Sequence, residues 1–281
     1  MLRIRKLFVA FTLGLGLTLA LVLGLSIVEG WLLGGGQLPV ARAASFTVDI
    51  LTDENDGECS TDCSLRDALI IANDNGEDDT ITLGAGTHVL TVTGINDDSA
   101  ATGDLDVTDV VTITGAGPGL TTIDASGIIS DRILDVRPGA GTVVISGVTI
   151  MGGNVTGYGG GIVDYDADLT LINTIVSSNT ATLNGGGIGI WSGSAVLSGG
   201  QVVSNTANNG GGVWINLGSG TLSGGQISNN SANVSGGVCS LALGSATLNE
   251  EQVISNTAGS RGGRCVHQFW QRDVERGTDR Q

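Results

Sequence analysis

The sequence predicts a right-handed parallel β-helix, a solenoid in which each coil of the chain stacks on the one before it. The first observation is a unit of 25 or 26 residues that occurs four times within residues 159–263. The second is the spacing of apolar residues in each unit, which alternates with period two, as in Leu169-Thr170-Leu171, and is typical of strands. The third is glycine, which follows the same period and marks corners. A repeat this short cannot bury its apolar face alone, so its copies must stack.

The regular coils, residues 159–263, show which positions stack. Each copy opens on a glycine run and closes on a segment such as Ser178-Asn179-Thr180-Ala181. We expect three short strands and three corners in each copy, so that one copy forms one coil. One asparagine recurs in every copy, and these side chains should stack as a ladder that holds a bend by hydrogen bonds to backbone amides. The ladder comprises Asn179, Asn205, Asn230 and Asn256.

Residues 1–43 are typical of an export signal. Basic side chains precede an apolar run over residues 7–28, and Ala41-Arg42-Ala43 has the small-residue pattern of a cleavage site. The run is also long enough to span a bilayer, so an uncleaved N-terminal anchor is the alternative. In both cases we expect a secreted or cell-surface protein, with membrane contact only through residues 7–28 if the signal is uncleaved.

The exported part is strongly acidic. The chain has a formal net charge of −16, and between residues 44 and 260 its only basic side chains are Arg66, His88, Arg132 and Arg137. Nucleic acid and anionic lipid are therefore excluded as expected partners. A uronate lyase is also disfavoured, because such an enzyme needs basic side chains to bind acidic sugars and abstract a proton.

Residues 44–80 predict a cap over the first coil. Ser64 followed by Asp67 is a helix-start pattern, and Asn75-Gly76 is a helix end. The apolar residues between them share one face of a short helix. They are Leu65, Ala68, Leu69 and Ala72. A β-helix exposes strand edges and apolar side chains at its end, which an amphipathic helix can cover.

Four cysteines in an exported chain allow disulfides. Cys59 and Cys63 are close in sequence, and we expect them to pair and to staple the loop to the cap. Cys239 and Cys265 occupy the same register of adjacent copies, so they could also meet.

The cap contains the sequence Cys63-Ser64-Leu65-Arg66-Asp67-Ala68, preceded by Asn55-Asp56-Gly57-Glu58-Cys59. This pattern resembles a bacterial domain named after its Cys-Ser-Leu-Arg-Glu-Ala motif, here called the CSLREA family. Asp67 stands where the family has Glu. Residues 79–83 and 112–117 also look like the family, so the resemblance covers roughly residues 46–150. It implies an exported or surface bacterial protein with a parallel β-helix, and it implies no established activity and no catalytic residues. The regular coils are similar to the repeats of polymorphic outer-membrane proteins, although the Phe that those repeats often carry before Asn is absent.

Residues 81–158 continue the solenoid with a looser period. We expect about three irregular coils here, with no linker before the four regular ones. The loop over residues 96–104 is expected to bulge from the stack. Arg132 and Asp135 are expected to form a charge pair on a strand.

An acidic turn before the cap is a candidate Ca²⁺ site. Its oxygen-bearing side chains are Asp53, Asn55, Asp56 and Glu58. The turn departs from the EF-hand pattern, because Gly57 is at the fifth position and Ser64 at the twelfth, so calcium would need another geometry. The alternative is a solvated acidic turn. No other cofactor is expected.

Two further patterns have both a functional and a structural interpretation. If Asp164, Asp166 and Asp168 lie on one strand, they share a face and could serve a glycosidase or hold Ca²⁺ for a lyase. If they span the loop between two strands, they have no such role. Trp191 and Trp214 are expected to face outwards in adjacent coils, where they either contact a glycan or simply cover the coil.

The tail over residues 264–281 departs from the repeat. Codons can be chosen for residues 264–279 so that a shift of one nucleotide reads GVYINSGSATLSGGQI, which nearly repeats residues 212–227. We therefore hypothesise that the tail is translated out of frame. Cys265 would then be accidental, and Cys239 would be left unpaired.

These observations together favour a non-catalytic protein with an adhesive or structural role and possible contact with glycans. The alternative is a carbohydrate-active enzyme, either a polysaccharide lyase or a glycosidase, on a β-helix scaffold. An enzyme is the less favoured of the two, because no residue set with a clear catalytic role is visible.

Overall fold

A computed structural model shows, over the residues that it describes, a parallel β-helix of about six coils, with about 26 residues in each turn and one short helix. The structure describes residues 43–95, 97–126, 130–240 and 243–259. The predicted fold class is confirmed. The predicted export signal and the aberrant tail lie outside the described residues.

The helix α1 spans Leu65–Asn75. The strands, in chain order, are β1 (Ser45–Val48), β2 (Asp79–Leu83), β3 (Gly86–Val89), β4 (Leu105–Val107), β5 (Val111–Thr114), β6 (Thr121–Asp124), β7 (Leu134–Val136), β8 (Thr142–Ser146), β9 (Thr149–Met151), β10 (Asn154–Val155), β11 (Ile162–Asp164), β12 (Asp168–Ile172), β13 (Ile175–Ser177), β14 (Thr180–Ala181), β15 (Ile188–Ile190), β16 (Ser194–Ser198), β17 (Gln201–Val203), β18 (Thr206–Ala207), β19 (Val213–Ile215), β20 (Ser219–Ser223), β21 (Gln226–Ser228), β22 (Ser231–Ala232), β23 (Val238–Ser240), β24 (Ser245–Asn249), β25 (Gln252–Ile254) and β26 (Thr257–Ala258).

The strands form four parallel sheets; sheets A, B and C run the length of the described solenoid, and sheet D begins at β10. Sheet A has the order β1-β2-β5-β8-β12-β16-β20-β24, and sheet B has the order β3-β6-β9-β13-β17-β21-β25. Sheet C has the order β4-β7-β11-β15-β19-β23, and sheet D has the order β10-β14-β18-β22-β26. Each regular coil passes through sheets A, B, D and C in turn, and its strands pair with the equivalent strands of the next coil.

The register agrees with the repeat seen in the sequence. The leucine of each copy stacks on that of the next copy, as Leu171 on Leu197 and Leu222 on Leu248. The coil differs from the prediction in having a fourth strand, the two-residue strand of sheet D. Its inward side chains are small and form a separate apolar cluster of Val155, Ala181 and Ala207.

The asparagine ladder is confirmed as a structural element. Asn205 donates from Nδ2 to the carbonyl of Val176 (2.9 Å) and to Oδ1 of Asn230 (3.0 Å). Its own Oδ1 accepts from the backbone and side-chain amides of Asn179. The residue before each ladder asparagine has a positive φ, which is the tight bend that these bonds hold.

The cap has the predicted helix, with its ends where the sequence places them. Ser64 is the N-cap and accepts from the amide of Asp67 (3.0 Å), and Gly76 closes the helix in the left-handed region. The predicted apolar face, including Leu65 and Leu69, is buried in the main core. The helix contacts β1, β2 and β4, so it covers the first strands of sheets A and C.

The predicted disulfide between Cys59 and Cys63 is present. Cys239 is disulfide-bonded as well, so the expectation that it would be left unpaired is wrong. Cys265, with which its register suggests a pair, lies outside the described residues.

The early coils are longer than the regular ones. Asp79 pairs with Val111, and Val111 pairs with Val143, so each of these two coils takes 32 residues. Residues 81–158 therefore contain two long coils and the first strands of a third, β8 to β10, and loops between strands use the additional residues of the long coils. Within the described residues, no helix combines the length and hydropathy needed to cross a membrane.

Candidate functional site

The outer face of sheet C carries the charged and aromatic side chains that are scarce elsewhere in the solenoid. Each strand of this sheet has three residues, and alternation directs the central one away from the core. These central residues stack from coil to coil in one line. The line consists of Asp106, Asp135, Val163, Gly189, Trp214 and Cys239.

Three carboxyl groups meet at the start of this line, and we call them the acidic cluster: Asp104, Asp106 and Asp135. One oxygen from each lies within 4.8 Å of the others. All three residues are buried, with at most 3% of their surface exposed. Asp106 and Asp135 are direct neighbours on paired strands, so two like charges face each other across the sheet.

Two arginines partly compensate this charge. Arg132 donates from a terminal nitrogen to Oδ2 of Asp135, which confirms the predicted pair. Arg137 donates to the same oxygen (3.2 Å) and contacts the exposed carboxylate of Asp98 (3.0 Å). The contact of Arg132 with Asp104 is longer, at 3.8 Å from Nε to Oδ2.

The remaining carboxylate oxygens of the acidic cluster are poorly satisfied. Oδ2 of Asp106 accepts from the amide of Ala100 (2.9 Å). Oδ1 of Asp106 and Oδ1 of Asp135 are both buried, and neither has a hydrogen-bond partner among the described residues. Buried polar atoms without a partner are uncommon and costly, so this place in the fold requires an explanation.

The acidic cluster also has perturbed ionisation. Burial raises the pKa of Asp104 to about 8, and the negative charges of Asp131 and Asp106 add to this effect. Burial raises the pKa of Asp106 to about 7, with a further contribution from the charge of Asp135. The cause in both carboxyl groups is loss of water without enough compensating positive charge.

The cap explains why the acidic cluster is buried. The side chain of Arg66 is fully buried and donates to the carbonyls of Ala100 (2.7 Å) and Gly103 (2.8 Å). It is held by an ion pair with Asp53 at 2.7 Å. We expected the loop over residues 96–104 to bulge from the stack, and its described part, residues 97–104, is tied to the cap by these bonds.

Sequence reasoning missed the acidic cluster, although a signal was present. The tripeptide Leu-Asp-Val occurs at residues 105–107 and again at residues 134–136, and the two copies pair in register. An Asp between two apolar residues on each of two stacked strands indicates a pair of outward carboxylates. The contribution of Asp104 depends on the loop and has no such signal.

An aromatic cluster lies further along the same face, and we call it the aromatic patch: Tyr158, Tyr165, Trp191 and Trp214. Tyr158 stacks on Trp214 with ring centroids 5.2 Å apart and meets Trp191 edge-on at 5.0 Å. Tyr165 lies 6.4 Å from Trp191. The guanidinium of Arg137 lies 5.7 Å from the Tyr165 ring, so the aromatic patch adjoins the charged groups.

The predicted pair of tryptophans thus lies in one cluster, but only part of it faces solvent. Trp214 points away from the main core, as expected, but it is only 2% exposed, so its ring is not accessible to a ligand. Tyr158, stacked on its face, and Trp191 cover it. Trp191, Tyr158 and Tyr165 are half-buried and present the accessible part of the aromatic patch.

The acidic turn suggested as a Ca²⁺ site has several of its groups engaged with the protein. Both oxygens of Asp53 bond to Arg66, and Oδ2 also accepts from the amides of Thr91 and Val92. Asn55 donates to the carbonyl of Ala101. Asp56 accepts from the amide of Glu58, an arrangement that belongs to the turn itself.

The three aspartates at residues 164–168 do not share a face. Strand β11 ends at Asp164 and β12 begins at Asp168, so the residues between them form a corner, as the loop interpretation predicted. Asp164 points inwards and is buried, and its Oδ1 accepts from the amide of Ala167 (2.9 Å). Asp166 and Asp168 are exposed, so the three carboxyl groups do not form one site.

Comparison with protein-family models finds no match, and comparison with curated proteins finds no similar sequence. The function must therefore be argued from the outer face of sheet C, where the acidic cluster and the aromatic patch lie side by side.

Proposed function

We propose that the protein is an exported, non-catalytic β-helix of the bacterial surface that contacts neutral glycans through the aromatic patch. The observation that carries the proposal is the convergence of aromatic residues. The chain has only two tyrosines and four tryptophans, and both tyrosines and two of the tryptophans meet in this patch. The patch lies on the outside of sheet C, away from the main apolar core.

The chemistry of the aromatic patch suits a neutral sugar. Half-exposed rings offer flat apolar surfaces on which sugar rings can stack, and their polar atoms can bond to hydroxyl groups. The Arg137 guanidinium beside Tyr165 adds a donor at the edge of the patch. The chain as a whole carries a formal charge of −16, which disfavours acidic glycans.

The proposed location rests on the N-terminal sequence. An export signal over residues 1–43 and the resemblance to the CSLREA family both support a secreted or cell-surface protein. The disulfide between Cys59 and Cys63 agrees with an oxidising compartment.

A binding test decides whether the aromatic patch has this role. The full chain should bind at least one neutral polysaccharide in an immobilised panel, and Trp191→Ala should weaken that binding by roughly tenfold or more. Leu120→Ala removes an exposed apolar side chain from outside the aromatic patch and should leave binding unchanged. Equal binding by the chain and by the Trp191→Ala variant would contradict the proposal.

The second candidate, a carbohydrate-active enzyme, is favoured by the raised pKa values in the acidic cluster. A carboxyl group that stays protonated near neutral pH is suited to be a general acid. Against this, Asp104, Asp106 and Asp135 are almost fully buried, so a substrate does not reach them in this structure. Incubation with a polysaccharide panel, with and without Ca²⁺, should release no new chain ends. Reproducible product release would instead establish the enzyme.

A further inference from the structure

We propose that Asp104, Asp106 and Asp135 form a calcium-binding site beneath the loop over residues 97–104. The inference concerns a different place from the acidic turn before the cap. It is also independent of glycan binding, because it rests on the contacts of the acidic cluster alone.

The spacing of the oxygens fits a calcium ion. Ca²⁺ binds carboxylate and carbonyl oxygens at about 2.3–2.6 Å, so two ligands on opposite sides of the ion are about 5 Å apart. One oxygen from each of the three residues lies within 4.8 Å of the other two, so a single ion can reach all three. Mg²⁺ requires shorter distances of about 2.0–2.1 Å and a more rigid octahedron, which favours calcium here.

The second observation is the pair of oxygens that have no partner. Oδ1 of Asp106 and Oδ1 of Asp135 are buried on adjacent strands and make no hydrogen bond within the described residues. The other oxygen of each residue is already occupied: Asp106 accepts from Ala100, and Asp135 accepts from both arginines. The unpartnered oxygens thus belong to two neighbouring carboxylates on one face of sheet C, as a bound cation requires.

The charge balance points to a divalent ion. Four buried carboxyl groups, those of the acidic cluster and of Asp131, surround the two arginines Arg132 and Arg137. If all four carboxyl groups are ionised, four negative and two positive charges leave an excess of two negative charges, and burying unbalanced charge is expensive. A single Ca²⁺ neutralises this excess.

Arg132 does not take the place of the ion. Its terminal nitrogen binds Oδ2 of Asp135, which leaves Oδ1 unoccupied. Its Nε is 3.8 Å from Asp104 and 4.0 Å from Asp131 and makes no hydrogen bond with a described residue. The guanidinium therefore flanks the carboxylates and orients one of them, and does not satisfy all three.

The position of the site suggests what calcium would do. Asp104 belongs to the loop, whereas Asp106 and Asp135 belong to sheet C, so one ion would join the loop to two successive coils. Arg66 already ties the same loop to the cap. Calcium would thus stabilise the junction between the cap and the first coils.

The test uses the full chain, freed of metal with a chelator, and follows thermal unfolding and calorimetric titration with CaCl₂. We expect saturable binding of one Ca²⁺ and a rise in Tm with calcium concentration, because an ion that binds only the folded state stabilises it. MgCl₂ at the same concentration should give a clearly smaller rise. Asp106→Asn and Asp135→Asn should each weaken Ca²⁺ binding by roughly tenfold or more, since each removes a charged ligand.

Two matched variants locate the ion. Asp166→Asn removes an exposed carboxylate outside the acidic cluster, and Glu58→Gln alters the acidic turn, so both should retain full calcium binding. No calcium binding by the unmodified chain would overturn the proposal. Undiminished binding by both cluster variants, or loss of binding in Glu58→Gln alone, would do the same. If either Asp106→Asn or Asp135→Asn fails to fold, calcium binding by the other variant and the comparison with magnesium still test the proposal.

Discussion

At the scale of single residues, Asp164 shows how a charged side chain can serve a corner of the solenoid. It occupies an inward position of sheet C, in register with Val136 and Ile190. Its Oδ1 accepts from the amide of Ala167 and so holds the corner, while its Oδ2 is buried and lacks a hydrogen-bond partner among the described residues. Burial raises the pKa of this carboxyl group to about 7, and the charges of Asp166 and Asp168 add to the rise.

The sign of the resulting pH dependence follows from linkage. The folded state holds a proton on Asp164 up to about pH 7, whereas the unfolded chain loses it near pH 4. Asp164 therefore makes the protein less stable as pH rises from about 4 to 7, by on the order of 1.4 kcal/mol for each pH unit. Asp164→Asn keeps an acceptor for Ala167 and cannot ionise. The difference in free energy of unfolding between this variant and the unmodified chain should therefore shift by about 2 kcal/mol in favour of the variant from pH 5 to pH 7.

Urea unfolding of both proteins at the two pH values measures this difference. Asp168→Asn, an exposed neighbour, serves as the control and should show little change. A stability difference between the unmodified chain and Asp164→Asn that is the same at both pH values would contradict the assignment.

At the scale of elements, the asparagine ladder joins successive coils at the corner between sheets B and D. Every ladder asparagine is both donor and acceptor, and Asn179, Asn205 and Asn230 are fully buried. Each of these side chains contacts the last glycine of the run that opens its own copy, because a Cβ at Gly187 would meet Nδ2 of Asn205 at 2.9 Å. The glycine run and the asparagine of each copy are thus parts of one packing arrangement.

Removal of one ladder side chain should therefore be costly. Asn205→Ala deletes the two hydrogen bonds that Asn205 donates and leaves the amide of Asn179 without its side-chain acceptor in a buried corner. We expect a loss of about 3 kcal/mol in the free energy of unfolding, measured by chemical denaturation. Asn249→Ala, at an exposed position of sheet A, should change stability by less than about 0.5 kcal/mol. Equal effects of the two substitutions would show that the ladder is not a stabilising element.

At the scale of the whole molecule, the two ends of the described solenoid differ. The first coil is covered by α1 and by the loop that Arg66 holds. At the other end, β24 and β25 pair with strands on one side only within the described residues. Val253 lies in a column of stacked core residues and is nevertheless 39% exposed. Val176, which lies three copies earlier in the same column, is only 1% exposed.

Hydrogen exchange should report this difference directly. In a solenoid, each coil is stabilised mainly by its two neighbours, so a coil with one neighbour opens more easily. We expect the amides of β25 to exchange at least roughly tenfold faster than those of β13. Uniform protection from β13 to β25 would contradict this gradient and would indicate that the last described coil is covered.

The hypothesis of an out-of-frame tail is tested at the same end. The nucleotide sequence across codons 255–281 and beyond should restore the repeat when one base is inserted or removed. A chain expressed in the restored frame should protect the β25 amides, because a further coil would lie on Val253. If no single-base change restores the repeat, the hypothesis is wrong.

Much of the fold could be predicted from the sequence because the signals are local and repeated. Period-two apolar residues, glycine corners and a recurring asparagine predict the strands, the stacking register and the ladder. The N-cap Ser64 and the C-terminal Gly76 delimit the cap helix for equally local reasons. The close spacing of Cys59 and Cys63 was sufficient to predict their disulfide.

The tertiary structure alone decided the composition of the candidate sites. Asp104 approaches Asp106 and Asp135 because Arg66 of the cap binds the carbonyls of the intervening loop, a contact across nearly forty residues. Trp214 is buried because Tyr158 and Trp191 come from other coils to cover it. The repeat specifies how coils stack, since each position meets its own equivalent. Contacts between non-equivalent positions depend on the loops, which have no period, and so they become visible only when the chain is folded.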